Sequence, residues 1–377
     1  MTDNIKTPEY VDSGGFGCVF RPSIPCPGKK QKNNTISKVF KEKSDSDKEW
    51  YESKIIKEID KNNKFTLSPI DYCKITRKDI KNINSCGYKW SMLNSWPQII
   101  YPDGGISLHS QKIQNYNFLD LLNSLTPIID GLIIIKNKGY CHHDIKPLNI
   151  VYNHSKNKSS LIDFGLLEPL KNIYKKSNYS DLQHRYIYKP PEHRLYSYYV
   201  YEKNIFINNS DINYIANHIE YDGRHQNHLR LYKLLQLIYP QTYKKFDIYV
   251  NHPIKNIEDM INTMIPKIQN LNYSDLNNLF YKSFSPKIDI FSMGISVLEI
   301  FITFFSNKIS ELHYLDKNDK RLLLLIINWI YKARHNNVYE RYTNEEASIE
   351  WHRICNKLNK YSKSSASKSF KSLMKFT

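Results

Sequence analysis

The sequence predicts an α+β chain, with strands concentrated near the start and helices dominating the remainder. Three observations point there. Thr35 to Phe40 alternates in the manner of a half-buried strand. Ile128, Ile129, Leu132, Ile133 and Ile135 recur on one face of a helix, with Thr126-Pro127 as cap and first turn and Gly139 as a left-handed exit. Two short apolar runs, Asn149 to Asn153 and Ser159 to Ile162, flank the polar turn His154 to Lys158 and read as a hairpin.

At 377 residues, the chain is long enough for two or three domains and a sizeable core. No run of 18 apolar residues is present; Leu322 to Ile330 and Ile295 to Phe305 are too short to cross a bilayer. Met1 to Tyr10 lacks a signal-peptide pattern. The six cysteines show no Cys-x-x-Cys spacing, so neither a zinc site nor a disulfide framework is expected, and a reducing cytosol fits. The net charge of +17 could attract acidic partners, nucleic acid or anionic membrane. The abundance of Asn, Lys, Ile and Tyr and the scatter of the lysines favour a compositional origin instead.

The buried helix delivers Cys141-His142-His143-Asp144-Ile145-Lys146-Pro147-Leu148-Asn149 as a fixed loop. In the hairpin that follows, the start of the first strand lies beside the end of the second. Asn149 and Asp163 are therefore expected at its open end, with Asp144 just upstream. Two carboxylates and an amide oxygen suit a hard cation such as Mg²⁺.

His142-His143-Asp144-x4-Asn149, followed by Asp163-Phe164-Gly165, resembles the catalytic loop and metal-binding motif of protein kinases. Each motif is weak alone; in this order and on this hairpin they reinforce one another. Val11-Asp12-Ser13-Gly14-Gly15-Phe16-Gly17-Cys18-Val19 is similar to the family's glycine-rich loop over ATP phosphates. There Gly14, Gly15 and Gly17 would let backbone approach the nucleotide, Phe16 would cap the tip, and Val11 and Val19 would sandwich adenine. Asp12 replaces the family's first glycine and puts a carboxylate near an anionic ligand.

Arg21 to Asn34, broken by prolines, reads as an enlarged loop. Lys38 takes the place of the phosphate-binding lysine. Asp47 to Asp60 reads as a helix whose Glu52 best matches the glutamate that pairs with that lysine, Glu49 being the runner-up. Two strands are expected between Leu67 and Ile100, and Ile99 to Gly105 resembles the hinge. Tyr188-Lys189-Pro190-Pro191-Glu192 resembles the end of an activation segment, with Arg185 where a threonine is usual and His143 where an arginine is usual. Asp289 resembles the buried carboxylate that holds the catalytic loop, and Arg341 the partner of Glu192. Ile257, Met260, Ile261, Met264, Ile265 and Ile268 recur at helical spacing and predict a packed helical insert.

The resemblance covers nearly the whole chain and looks closest to divergent Ser/Thr kinases of large (giant) DNA viruses. It implies a bilobal fold: a small antiparallel-sheet lobe over 1–101, then a mainly helical lobe over 102–377. The second lobe would carry an insertion at about 193–284 and a basic Ser/Lys tail from about 356. It implies ATP and Mg²⁺ as cofactors, a protein Ser/Thr hydroxyl as acceptor, and a cytoplasmic or virion location. Asp144 would be the base and Lys146 the γ-phosphate cation; Asn149 and Asp163 would hold the metal, and Lys38 with Glu52 would align the phosphates. The alternatives are a pseudokinase scaffold, a small-molecule kinase of similar fold, and a nucleic-acid-binding protein. The last leaves the ordered motifs unexplained.

Overall fold

The computed structural model describes residues 7–13, 17–80, 86, 93–174, 186–201, 253–268, 271–308, 312, 315–363 and 374. The chain divides into two compact units. Met1–Gly105 and Ser160–Leu166 form the first; Ile106–Ser159 and Leu167–Thr377 form the second. The secondary structure is α+β, with an antiparallel sheet in the N-terminal region and mostly helix in the C-terminal part.

The first unit is a five-stranded sheet with strands β1 (Glu9–Ser13), β2 (Gly17–Arg21), β3 (Thr35–Phe40), β4 (Asp71–Thr76) and β5 (Ser95–Pro102) in the order β1-β2-β3-β5-β4. Every neighbouring pair is antiparallel. Alternation puts Cys18, Phe20, Val39, Ile75 and Trp96 into one cluster. Helix α1 (Lys43–Ile59) follows β3 and begins earlier than the sequence predicts. The buried Asp60 ends it, its carboxylate accepting from the amides of Lys64, Phe65 and Thr66. Beyond Thr66 the returning segment is tied in, with Leu161 N–H donating to Phe65 O at 2.8 Å.

Arg21 still ends β2, but the prolines keep the rest of the predicted loop, Pro22 to Asn34, out of the sheet, and that loop is anchored. Ser23 and Thr35 hydroxyls meet at 2.6 Å, and Ile24 N–H donates to Ser37 Oγ at 2.8 Å. The cysteine expectation needs correction: Cys18 is bonded to Cys86 and Cys26 to Cys73. These partners lie 68 and 47 residues apart and meet only because the sheet brings distant segments together, so local spacing gave no sign of them.

In the second unit, β6 (Ile106–Ser107) leads to helix α2 (Phe118–Asn137), whose cap differs from the predicted one. Asn117 accepts from the amides of Leu119 and Asp120, so the helix starts well before Thr126 and encloses Pro127. A proline inside a helix removes one hydrogen bond and crowds the carbonyl one turn earlier, a cost offset by burial along Leu121, Leu125, Ile128 and Leu132. Gly139 at φ +80° ends the turn as predicted. Then come β7 (Tyr140–Cys141), β8 (Ile150–Asn153), β9 (Lys158–Leu161, which runs on into the first unit) and β10 (Glu168–Pro169). The small sheets have the orders β6-β8-β9 and β10-β7.

Among the described residues, six further helices belong to the unit: α3 (Pro191–Tyr201), α4 (Pro253–Ile268), α5 (Tyr273–Ser283), α6 (Ile288–Phe305), α7 (Lys317–Ala333) and α8 (Asn344–Ser362). The insert's periodicity is realised in α4: Ile257, Met260, Ile261, Met264 and Ile268 are buried with Tyr196 and Phe280. Residues 202–252 of the predicted insert lie outside the described residues. Among the described residues two stretches, Phe118–Asn137 and Tyr273–Phe305, are by length and mean composition apolar enough to cross a membrane, though neither is an uninterrupted apolar run. Most of each is buried inside the protein, where a core helix must be equally apolar.

Candidate functional site

Each unit carries its own cluster of predicted site residues. In the first, β3 presents Lys38 opposite Ile99 of β5, and α1 supplies its acidic partner. That partner is Glu49: Lys38 Nζ lies 2.5 Å from Glu49 Oε2, and Tyr101 donates to Glu49 Oε1 at 2.8 Å. The expectation for Glu52 is thereby corrected. Three residues advance a helix by about 300°, so Glu52 falls on the adjacent face, 3.8 Å from the Lys48 ammonium.

Asp163 Oδ1 lies 3.4 Å from the same Lys38 ammonium. Burial works against the charge on Lys38, but the Glu49 and Asp163 carboxylates outweigh it and hold its pKa above the ordinary value. Burial pushes the Glu49 carboxyl up, Lys38 draws it back, and Asp163 adds to the rise. Asp163 adopts φ +61°, a left-handed backbone that few aspartates take, while Phe164 beside it is buried. Lys48 Nζ holds the turn by donating to Gly165 O at 2.8 Å.

Gly14, Gly15 and Phe16 lie outside the described residues. Gly17 is required by the sheet itself: a Cβ there would stand 2.5 Å from Val39 O. Val11 is 45% exposed and Val19 half-buried. Asp12 turns its carboxylate onto the Ser13 amide at 2.8 Å, spending charge on its own backbone.

In the second unit, Asp289 at the start of α6 fixes the catalytic-like loop. Its carboxylate accepts from His142 N–H at 2.8 Å, His143 N–H at 3.0 Å and the Cys141 thiol at 3.1 Å. His143 sits at φ +65°, so the loop is held in a backbone shape that costs energy. The result is a compact triad. Lys146 Nζ donates to both Asp144 oxygens, at 3.1 and 2.9 Å. Asn149 Nδ2 donates to Asp144 Oδ2 at 2.7 Å and to Asp144 O at 2.9 Å, which leaves Asn149 Oδ1 as its hard-oxygen donor. Tyr186 OH donates to Asp144 Oδ1, a contact with no signal in the sequence pattern.

Further contacts tie the surrounding platform together. Glu192 and Arg341 are fully buried and joined by two hydrogen bonds, 2.6 and 2.9 Å, as the resemblance implied. Tyr188 OH donates to Glu299 at 2.6 Å, and Ser292 Oγ donates to Tyr188 O at 2.7 Å. Among the described residues no group of three or more His, Cys, Asp or Glu has metal-holding geometry. The amide oxygen of Asn149, in the second unit, and the carboxylate of Asp163, in the first, are each hard oxygen ligands of the kind Mg²⁺ takes.

No family model matches the chain. Two curated proteins do, both named probable serine/threonine-protein kinases of Dictyostelium discoideum. One is 32% identical over 143 residues, covering 33% of this chain and 22% of the relative. The other is 38% identical over 94 residues, covering 24% of this chain and 10% of the relative. Over these stretches the chain is similar to the two proteins so named. It matches less than a quarter of the length of either relative, and neither comes from a virus.

Proposed function

We propose that the chain is a serine/threonine protein kinase that transfers the ATP γ-phosphoryl group to protein hydroxyls with Mg²⁺. The observation that carries this reading is the Asp144–Lys146–Asn149 triad on a loop pinned by Asp289. Asp144 is positioned to orient an acceptor hydroxyl and take its proton, and Lys146 beside it supplies a cation for the γ-phosphate. Lys38, charged and steadied by Glu49, is the cation for the α- and β-phosphates. Backbone at Gly14, Gly15, Phe16 and Gly17 would cover the phosphates, and Val11 and Val19 would flank adenine.

Asn149 and Asp163 are the residues that would hold Mg²⁺, which neutralises charge developing on the phosphates. The chain's own contribution is positioning and fixed charge. A scaffold that binds partners without transfer is the second reading, and Tyr186 on the Asp144 carboxylate is the observation that favours it.

The purified chain, incubated with labelled ATP, Mg²⁺ and a panel of acidic and basic proteins, tests the two readings. Label on serine or threonine that disappears in Asp163→Ala supports the kinase. Turnover in EDTA equal to that in Mg²⁺ overturns the metal-dependent reading.

A further inference from the structure

The hydrogen bonds at Asp144 raise a question about its availability. An ionised carboxylate offers about four lone-pair sites. Here Oδ1 accepts from Tyr186 OH and Lys146 Nζ, and Oδ2 accepts from Lys146 Nζ and Asn149 Nδ2. Asp144 is also only 7% exposed. A substrate hydroxyl that delivers its proton to this carboxylate must therefore displace a donor already in place.

The three donors are not equal. Lys146 is charged, and its bonds to the carboxylate are charge-assisted at both ends, the stronger class. Asn149 is buried and tied a second time, to Asp144 O. Tyr186 is a neutral phenol, half-buried, on a segment fixed two residues later by Tyr188. Its ring lies 5.6 Å from the Lys146 ammonium and 5.3 Å from the Tyr188 ring, so aromatic contacts keep the side chain over the triad. Its hydroxyl bonds to the carboxylate where an acceptor hydroxyl would bond.

We propose that Tyr186 is an internal occupant of the acceptor position at Asp144, displaced by a protein hydroxyl before transfer. The proposal rests on the kinase reading above. It makes the resting protein self-blocked, with Tyr186 competing against the acceptor and leaving nucleotide binding alone.

Tyr186→Phe removes the hydroxyl and keeps the ring, so initial rates against peptide concentration give the test. The variant should show a peptide kcat/KM about tenfold higher, carried by KM, with the KM for ATP unchanged. An equal or lower value, or a fall in kcat, overturns the proposal and makes the hydroxyl a support for Asp144. So does phosphate found on Tyr186 after incubation with ATP and Mg²⁺, because the residue would then be an acceptor.

A second readout needs no turnover: nitration of Tyr186 in the wild type, followed by mass spectrometry, should accelerate when a saturating serine peptide is added. Unchanged nitration contradicts displacement. Transfer by the wild type with no gain in Tyr186→Phe removes this proposal and leaves the kinase reading intact. Absence of transfer by both proteins removes both.

Discussion

The Lys38 ammonium lies 2.5 Å from Glu49 Oε2, and Tyr101 donates to the other oxygen of the same carboxylate at 2.8 Å. Glu49 is thus fixed from both sides, whereas Glu52 sits one helical face away beside Lys48. Glu49→Gln should lower kcat/KM for ATP about 10- to 100-fold, the range expected when a charge-assisted hydrogen bond is lost. Glu52→Gln should change it by about twofold or less. Steady-state kinetics at varied ATP decide between them, and a larger loss in Glu52→Gln would return that residue to the role the sequence suggested.

Helical geometry explains why the sequence pointed to the wrong glutamate. Glu49 and Glu52 are both acidic and both buried, and they differ only in face. A starting point for α1 misplaced by a few residues suffices to exchange them. The strand around Lys38, the loop from His142 to Asn149 and the pair Glu192–Arg341 were legible because each depends on residue type and order. The periodicity of α4 was legible for the same reason.

Tertiary contacts that belong to no motif were not legible. Tyr186 reaches Asp144 across 42 residues and belongs to no spacing pattern. Gly17 resembles a phosphate-loop glycine, yet its missing Cβ also makes room for the Val39 carbonyl.

The cysteine pairs give a prediction of their own. Under non-reducing conditions the denatured chain should release two free thiols, those of Cys141 and Cys355, against six after reduction. Each cross-link closes a long loop, so reduction should lower unfolding free energy by about 2–5 kcal/mol per bond. Thiol titration and urea midpoints with and without reductant measure both; six free thiols without reductant would refute the pairing.

Acid should destabilise the second unit through two histidines. Burial, with Lys189 and Arg194 nearby, lowers the His193 pKa to about 3. Burial also lowers His335 to about 4, with Arg341 adding to the fall against a favourable bond to Asn337. Both folded values lie below the unfolded value of 6.5, so between them the unfolded chain binds more protons. The stabilisation is complete above about pH 6.5 and declines as pH falls through the window, by about 1.4 kcal/mol per pH unit for each group. Urea unfolding from pH 7 to pH 5 should show this slope, and His193→Gln should flatten it. A wild-type profile flat over that range would mean these rings are protonated in the fold.

The central claim is that Asp144 is the proton acceptor of a phosphoryl transfer. Asp144→Asn preserves shape while removing the carboxylate, and the measurement is the initial rate of labelled-phosphate transfer together with nucleotide affinity. The rate should drop by roughly 10²–10⁴-fold, the scale of general-base catalysis, while nucleotide binding stays within about twofold of wild type. A variant that transfers at the wild-type rate, or one that loses nucleotide binding as steeply as turnover, would contradict the account.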